Sequence, residues 1–373
     1  MSPRILLIDP DLDSAERLQR VLTAEGYEVL TSITGQAGLL LARMNRPDLI
    51  VVDIDLPDMD GLEVCSLLRS SRSTAKVPIL VYTARSETAD KVACFKCGVQ
   101  DYVVKPADLA ELVVRIRVAV TSAERVRAKV VVVWGAKGGV GSSTVASNVA
   151  VALRSSTQKR ITLVDASVMG GTVGVMLNVA SRHTLSDLLP RIDSLDLELL
   201  SSVLASHATG VRVLLSMPWS RDGQVAQPDQ LMFILDWLQE ANDYLVVDTS
   251  PSLDPTTAAV LRMADLVVTV LTPEMTTLRN ARLFLRIFES WGQPKEKLLL
   301  VLNRSALKGG IKKADVQSAL QRSIDTEIPN DEPLVTYSIN RGIPLVISHK
   351  RSPIGHSLLQ LANTIVSRTQ VAK

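Results

Sequence analysis

The run Gly135-Ala136-Lys137-Gly138-Gly139-Val140-Gly141-Ser142-Ser143-Thr144 is the stretch of this chain best suited to chemistry. Glycines spaced this closely let backbone N–H groups converge on an anion without obstruction by side chains. The run follows an apolar stretch, Lys129–Trp134 (KVVVVW), and precedes a helix-forming segment reaching to about residue 155. Strand, glycine-rich turn and helix together make a phosphate cradle, the helix N-terminus adding its dipole. Within that cradle Ser143 is placed to ligate Mg²⁺ beside the β- and γ-phosphates. Acids stand at the ends of two later apolar runs: Asp165 after ITLV and Asp248 after YLVV. A second group lies nearer the N-terminus, where Asp9, Asp53, Thr83 and Lys105 each follow a short apolar run. There a carboxylate can accept a phosphoryl group while a hydroxyl and an ammonium hold its oxygens. A divalent metal normally neutralises such crowded acids.

Both groups need strand ends to carry them, and the apolar patterning supplies these. Short apolar runs at 4–9, 48–53, 77–82 and 100–104 alternate with helical stretches, as in βαβ units. The same alternation resumes at 129–134, 161–164, 244–247, 264–271 and 298–304. In open parallel sheets chemistry collects beyond the C-terminal strand ends. The expected fold is α/β, with two parallel-sheet domains at 1–125 and 126–373. Residues 107–126 read as the last helix of the first domain running into a charged connector without a Pro/Gly-rich linker.

Composition limits the alternatives. The 373 residues are too many for one ordinary core. Lys plus Arg is 41 and Asp plus Glu is 39, so no strongly basic tail announces nucleic acid. The opening MSPRILLID is too short for a signal peptide or a membrane span, and no later run reaches that length. A cytosolic protein is expected. Cys94 and Cys97 have CxxC spacing but no second ligand pair, and read as ordinary helix residues.

On these residues the first domain resembles a response-regulator receiver, a flavodoxin-like (CheY-like) fold. The resemblance makes Asp53 the phosphoacceptor and metal neighbour, Thr83 and Lys105 the phosphoryl-contacting pair, and Tyr102 the switch aromatic. It makes Asp9 the first of two metal-binding acids, with Pro10 in place of the second. The metal at Asp9 and Asp53 should therefore be weakly held. Two readings stay open: a receiver phosphorylated at Asp53, and a pseudo-receiver used for dimerisation or docking.

The second domain resembles the ParA/MinD superfamily of deviant P-loop ATPases, a three-layer α/β/α fold. The resemblance implies ATP and Mg²⁺ as cofactors. Lys137 becomes the signature lysine that contacts phosphates across a dimer, and Gly138, Gly139, Val140, Gly141, Ser142, Ser143 and Thr144 surround the phosphates. Asp165 serves at the Mg²⁺ and phosphate site, Asp248 reaches the metal through water, and Asn303 reads the adenine. The loop and helix at 264–288 fall at the nucleotide-dependent dimer interface, and 328–346 near the adenine. Two departures stand out: Ser142 where the ordinary loop has lysine, and Ser167 where an acid would orient the attacking water.

The order of domains, Ser142 and the LNR–GG–I segment at 302–311 resemble the CpaE/TadZ branch, whose members localise tad-type (Flp) pilus assembly machinery. This implies a homodimer favoured by ATP, slow hydrolysis at most, pilus-assembly or polar landmark partners, and concentration at a cell pole. The alternatives are a ParA-like partition ATPase acting on DNA cargo and a response regulator with an ATPase output. Lys308, Lys312, Lys313, Arg304, Arg341, Lys350 and Arg351 are the basic candidates for nonspecific DNA, the less favoured partner. The apolar helix at about 354–368 lacks the flanking Lys/Arg density of a membrane-surface helix and is expected to pack on its own domain.

Overall fold

The structure is a computed structural model describing residues 3–45, 47–71, 74–122, 127–167, 170–216 and 226–371. The chain divides into two compact units, Met1–Arg125 and Val126–Lys373.

The first unit alternates strand and helix throughout: β1 (Arg4–Ile8), α1 (Leu12–Ala24), β2 (Glu28–Ser32), α2 (Gly35–Asn45), β3 (Leu49–Val52), α3 (Gly61–Ser70), β4 (Ile79–Thr83), α4 (Thr88–Lys96), β5 (Asp101–Val104) and α5 (Leu109–Ser122). The sheet order is β2-β1-β3-β4-β5, parallel at every pairing. β1, β3 and β4 are almost wholly buried because helices cover both faces, which is why they read as unbroken apolar runs. Cys94 lies within α4 and Cys97 caps it. Burial pushes the Cys65 thiol up to about 12 and Cys94 up to about 11, so neither is a thiolate at neutral pH.

The second unit begins β6 (Lys129–Gly135), α6 (Ser142–Thr157), β7 (Ile161–Ala166), α7 (Val173–Met176), α8 (Leu197–Val203), β8 (Ala205–Ser206), β9 (Arg212–Leu214) and α9 (Pro228–Ala241). It continues β10 (Tyr244–Thr249), α10 (Pro255–Met263), β11 (Leu266–Leu271), α11 (Met275–Ser290), β12 (Leu298–Asn303), α12 (Lys313–Leu320), β13 (Thr326–Ile328), α13 (Glu332–Arg341), α14 (Leu345–Ser348) and α15 (Pro353–Val371). The sheet order is β13-β12-β11-β6-β10-β7-β9-β8, parallel except for the short β8–β9 pair at one edge. Two apolar layers sandwich this sheet. One packs α9, α10 and α11 on its first face; the other packs α6 and α15 on the second.

The helix α15 is part of that second layer. Ile354, Leu358, Leu361 and Ile365 are at most 3% exposed and pack in one cluster with Val145, Val149 and Leu153 of α6. Asn148 fastens α6 further: its side chain accepts the Val346 N–H at 3.1 Å and donates to the Thr144 carbonyl at 2.8 Å. Among the described residues no helix is long and apolar enough to cross a membrane.

Candidate functional site

β6 sits in the middle of its sheet and delivers the glycine run to the C-terminal edge. Gly139 (φ +82°) and Gly141 (φ +93°) hold left-handed backbone, which glycine adopts without strain. A Cβ on Gly141 would also lie 2.6 Å from Asn303 Nδ2. Gly141 is the N-cap of α6 and offers no capping side chain, so the first-turn N–H groups remain for an anion. Side chains from two other elements fix the loop. Asn303 Nδ2 donates to the Val140 carbonyl at 2.7 Å, and Asn280 Nδ2 of α11 donates to the Ala136 carbonyl at 2.9 Å.

Strand register brings the two acids together. Asp165 and Asp248 are direct partners across the β7–β10 pair, and both are buried. Asp165 accepts the N–H groups of Ser167 at 3.2 Å and Val173 at 3.3 Å. Burial raises its pKa, and those two contacts pull against the rise. Asp248 has no hydrogen-bond partner on either carboxylate oxygen among the described residues. Burial, then the neighbouring Asp165, push its pKa to about 8, while Ser143 is near enough to lower it without a hydrogen bond of ordinary geometry. A buried, orphaned carboxylate beside a second acid and a serine hydroxyl is an oxygen donor set that suits a hard divalent cation.

Beside the glycine loop lies a cavity of about 370 Å³, whose lining includes Ser143 but neither Asp165 nor Asp248. Gly139, Gly141, Ser142, Ser143 and Thr144 line one end; Ile328, Pro329, Asp331 and Glu332 line another part. Lys137 is not among the lining residues. Its Nζ lies 3.6 Å from Glu274 Oε2 at the N-cap of α11. Asn303 lines the cavity with its amide engaged at both ends, the Oδ1 accepting the Arg304 N–H at 3.0 Å. Its observed work is to tie the phosphate loop to the end of β12. The sequence reading missed Glu274 and Asn280. Nothing local marks either one, since each acquires its role from β11 lying beside β6.

In the first unit, Lys105 Nζ donates to Asp9 Oδ2 at 2.6 Å and to Asp53 Oδ2 at 2.8 Å. Burial depresses this ammonium, but the bonds to Asp53 and Asp9 outweigh it and its pKa is raised. The Lys105–Pro106 peptide is cis. Asp9 Oδ1 accepts the Asp11 N–H at 2.9 Å. Asp11 does not replace the missing acid: its carboxylate caps α1, accepting from Asp13 and Ser14 N–H. Thr83 is fully buried at the end of β4, and the Tyr102 hydroxyl donates to the Arg85 carbonyl at 3.0 Å. The Asp55 side chain is drawn to Arg85 at 2.6 Å.

A parallel sheet with a glycine loop between its central strand and a helix, facing paired acids on adjacent strands, defines the second unit as a P-loop NTPase. The first unit is a receiver domain. A family model for ParA, described as NUBPL iron-transfer P-loop NTPase, matches residues 125–366, and the chain belongs to that family. A model for the response regulator receiver domain matches residues 5–117.

Among solved structures, the chain is similar to a ParA family ATPase from Chlorobium tepidum TLS. The identity is 25% and the TM-score 0.59, over 63% of this chain and 98% of that one. It shares its fold with the septum site-determining protein MinD of Pyrococcus horikoshii OT3, solved with Mg-ADP. There the identity is 22% and the TM-score 0.56, over 64% and 95% of the two chains. The receiver portion is 45% identical over 116 residues to the transcriptional regulatory protein PrrA of Mycobacterium tuberculosis, covering 31% of this chain and 49% of that protein. It is 38% identical over 124 residues to the transcriptional regulator RpaA of Synechocystis, covering 33% and 52%. The chain thus spans about half the length of these relatives.

Proposed function

We propose that this chain is an ATP-binding spatial regulator of the CpaE/TadZ kind, which positions tad-type pilus assembly machinery as an ATP-favoured homodimer with little intrinsic hydrolysis. The observation that carries the nucleotide and metal part of this reading is the orphaned Asp248 carboxylate near Asp165 and Ser143, with the uncapped N-terminus of α6 following the glycine loop; the pilus role rests on the order of domains and on Ser142. Backbone N–H groups of the loop and of Ser142, Ser143 and Thr144 would hold the phosphates. Ser143 and Asp248 would hold Mg²⁺, Asp248 through water, with Asp165 beside them. The metal, when bound, neutralises the acid pair and screens the phosphate charge.

Two residues argue against brisk turnover. Ser142 brings no charge to the phosphates, and Ser167, whose N–H turns to Asp165, has no carboxylate to orient water. Binding without fast hydrolysis suits a positional marker that stays assembled.

An in-frame deletion in a host that bears tad-type pili tests this reading. Loss of surface pili with normal chromosome segregation is expected. Normal piliation with anucleate cells would move the chain to the partition ATPases instead.

A further inference from the structure

Arg304 was a candidate for a basic outer surface, but the structure places it on the wall of the 370 Å³ cavity with Gly141, Ser142, Ser143 and Thr144. Its backbone has φ +54°, which non-glycine residues seldom adopt. The conformation is secured by the Arg304 N–H donating to Asn303 Oδ1 at 3.0 Å, while Asn303 Nδ2 holds the Val140 carbonyl at 2.7 Å. One amide therefore ties this arginine to the phosphate loop.

Two other cations of this unit are paired. Lys137 points to Glu274, and Lys313 pairs with Glu327 at 2.6 Å. Among the described residues the Arg304 guanidinium has neither a hydrogen-bond nor an ion-pair partner. The acids on the cavity wall are Asp331 and Glu332, and Asp331 is turned to cap α13 through the Leu334 N–H at 3.2 Å. Those acids repel a phosphate chain from their side. The helix N-terminus, the hydroxyls of Ser142, Ser143 and Thr144, and the guanidinium attract it to the other. A half-buried arginine on the cavity wall, with no acid bonded to its guanidinium among the described residues and a neighbouring loop that brings only hydroxyls and N–H groups, is short of an anion.

We propose that Arg304 binds the phosphate chain of the bound nucleotide, supplying from the same chain a cation that the glycine loop itself does not bring into the cavity. The proposal rests on the reading that this cavity takes a nucleoside triphosphate.

The test is titration calorimetry of the full-length protein with Mg²⁺ and ATP, ADP or adenosine, for wild type, R304Q and R304K. R304Q should weaken ATP by about tenfold to a hundredfold, the usual weight of a charge-assisted contact, and leave adenosine nearly unchanged. R304K should recover part of the ATP affinity. If R304Q does not fold, phenylglyoxal modification of the wild type, mapped by mass spectrometry, answers the same question. ATP should protect Arg304, and adenosine should not. Equal losses of ATP and adenosine would show that the arginine serves the base and would overturn the proposal, as would unchanged ATP binding or modification indifferent to ATP. A wild type that binds no nucleotide at all would instead overturn the underlying reading, and the proposal with it.

Discussion

Lys137 Nζ lies 3.6 Å from Glu274 Oε2, so the single lysine of the glycine loop is engaged by an acid of its own chain. The two side chains are 49% and 39% exposed, which limits such a pair to about 0–1 kcal/mol. A dimer that uses Lys137 on the partner's nucleotide must first open this pair. Glu274→Gln should therefore tighten the Mg·ATP-dependent dimer by up to about fivefold, and Lys137→Ala should abolish it. Sedimentation velocity with and without nucleotide measures both. A dimer indifferent to Lys137→Ala would remove the lysine from the interface.

Asp248 gives the nucleotide site a pH dependence whose sign can be stated. Its pKa rises from the ordinary 3.8 to about 8 through burial and the nearby Asp165. The folded protein therefore keeps a proton that the unfolded chain sheds above 3.8. Stability from this group is full below that value and is lost as pH climbs towards about 8. Melting temperatures of the nucleotide-free protein should fall across this window more steeply than those of Asp248→Asn. Affinity for Mg²⁺ with nucleotide should rise over the same range, since binding must expel the proton. Parallel melting curves for the two proteins would contradict the assignment.

The receiver site should take up phosphate slowly. Position 10 is proline, Asp11 spends its carboxylate capping α1, and Lys105 bridges Asp9 and Asp53. Incubation with acetyl phosphate and Mg²⁺, followed by intact-mass analysis, should show little addition. Pro10→Asp should increase it at Asp53. Rapid, near-complete modification of the wild type would show that one acid suffices.

Phosphate release at saturating ATP should stay well below about one per second, the low edge of ordinary enzyme turnover. A missing transition-state contact commonly costs about 3–4 kcal/mol, on the order of a hundredfold or more in rate. Ser167→Asp should accelerate release without a matching change in ATP affinity. A wild type turning over briskly without any partner protein would defeat this expectation.

The two sheets and their acids were legible because each acid follows an apolar run and parallel strands end together at one edge. The partnership of Asp165 and Asp248 needed only β7 and β10 to be neighbours, and they are. The glycine run likewise announced its strand and helix by composition. What stayed hidden depends on sheet order. The contact of the Asn303 amide with Val140, 163 positions away, was one such feature, because β12 lies two strands from β6. Glu274 and Asn280 approach the loop for a similar reason, and Arg304 looked like one more surface cation. Asp11 could not be placed between ligand and cap by spacing alone, and local hydrogen bonding decided for the cap.

The helix that presents the phosphate donors is anchored by the final part of the chain. Asn148 of α6 is held by Val346, 198 positions later, and α15 completes the apolar layer behind it. During synthesis α6 is made long before either partner exists, and contacts of such sequence separation form late. A growing chain therefore carries the whole glycine loop while the support behind it is still untranslated. A product cut short before Val346 would carry every residue of the glycine loop, yet lack both the Asn148 contact and the apolar layer that α15 packs behind α6.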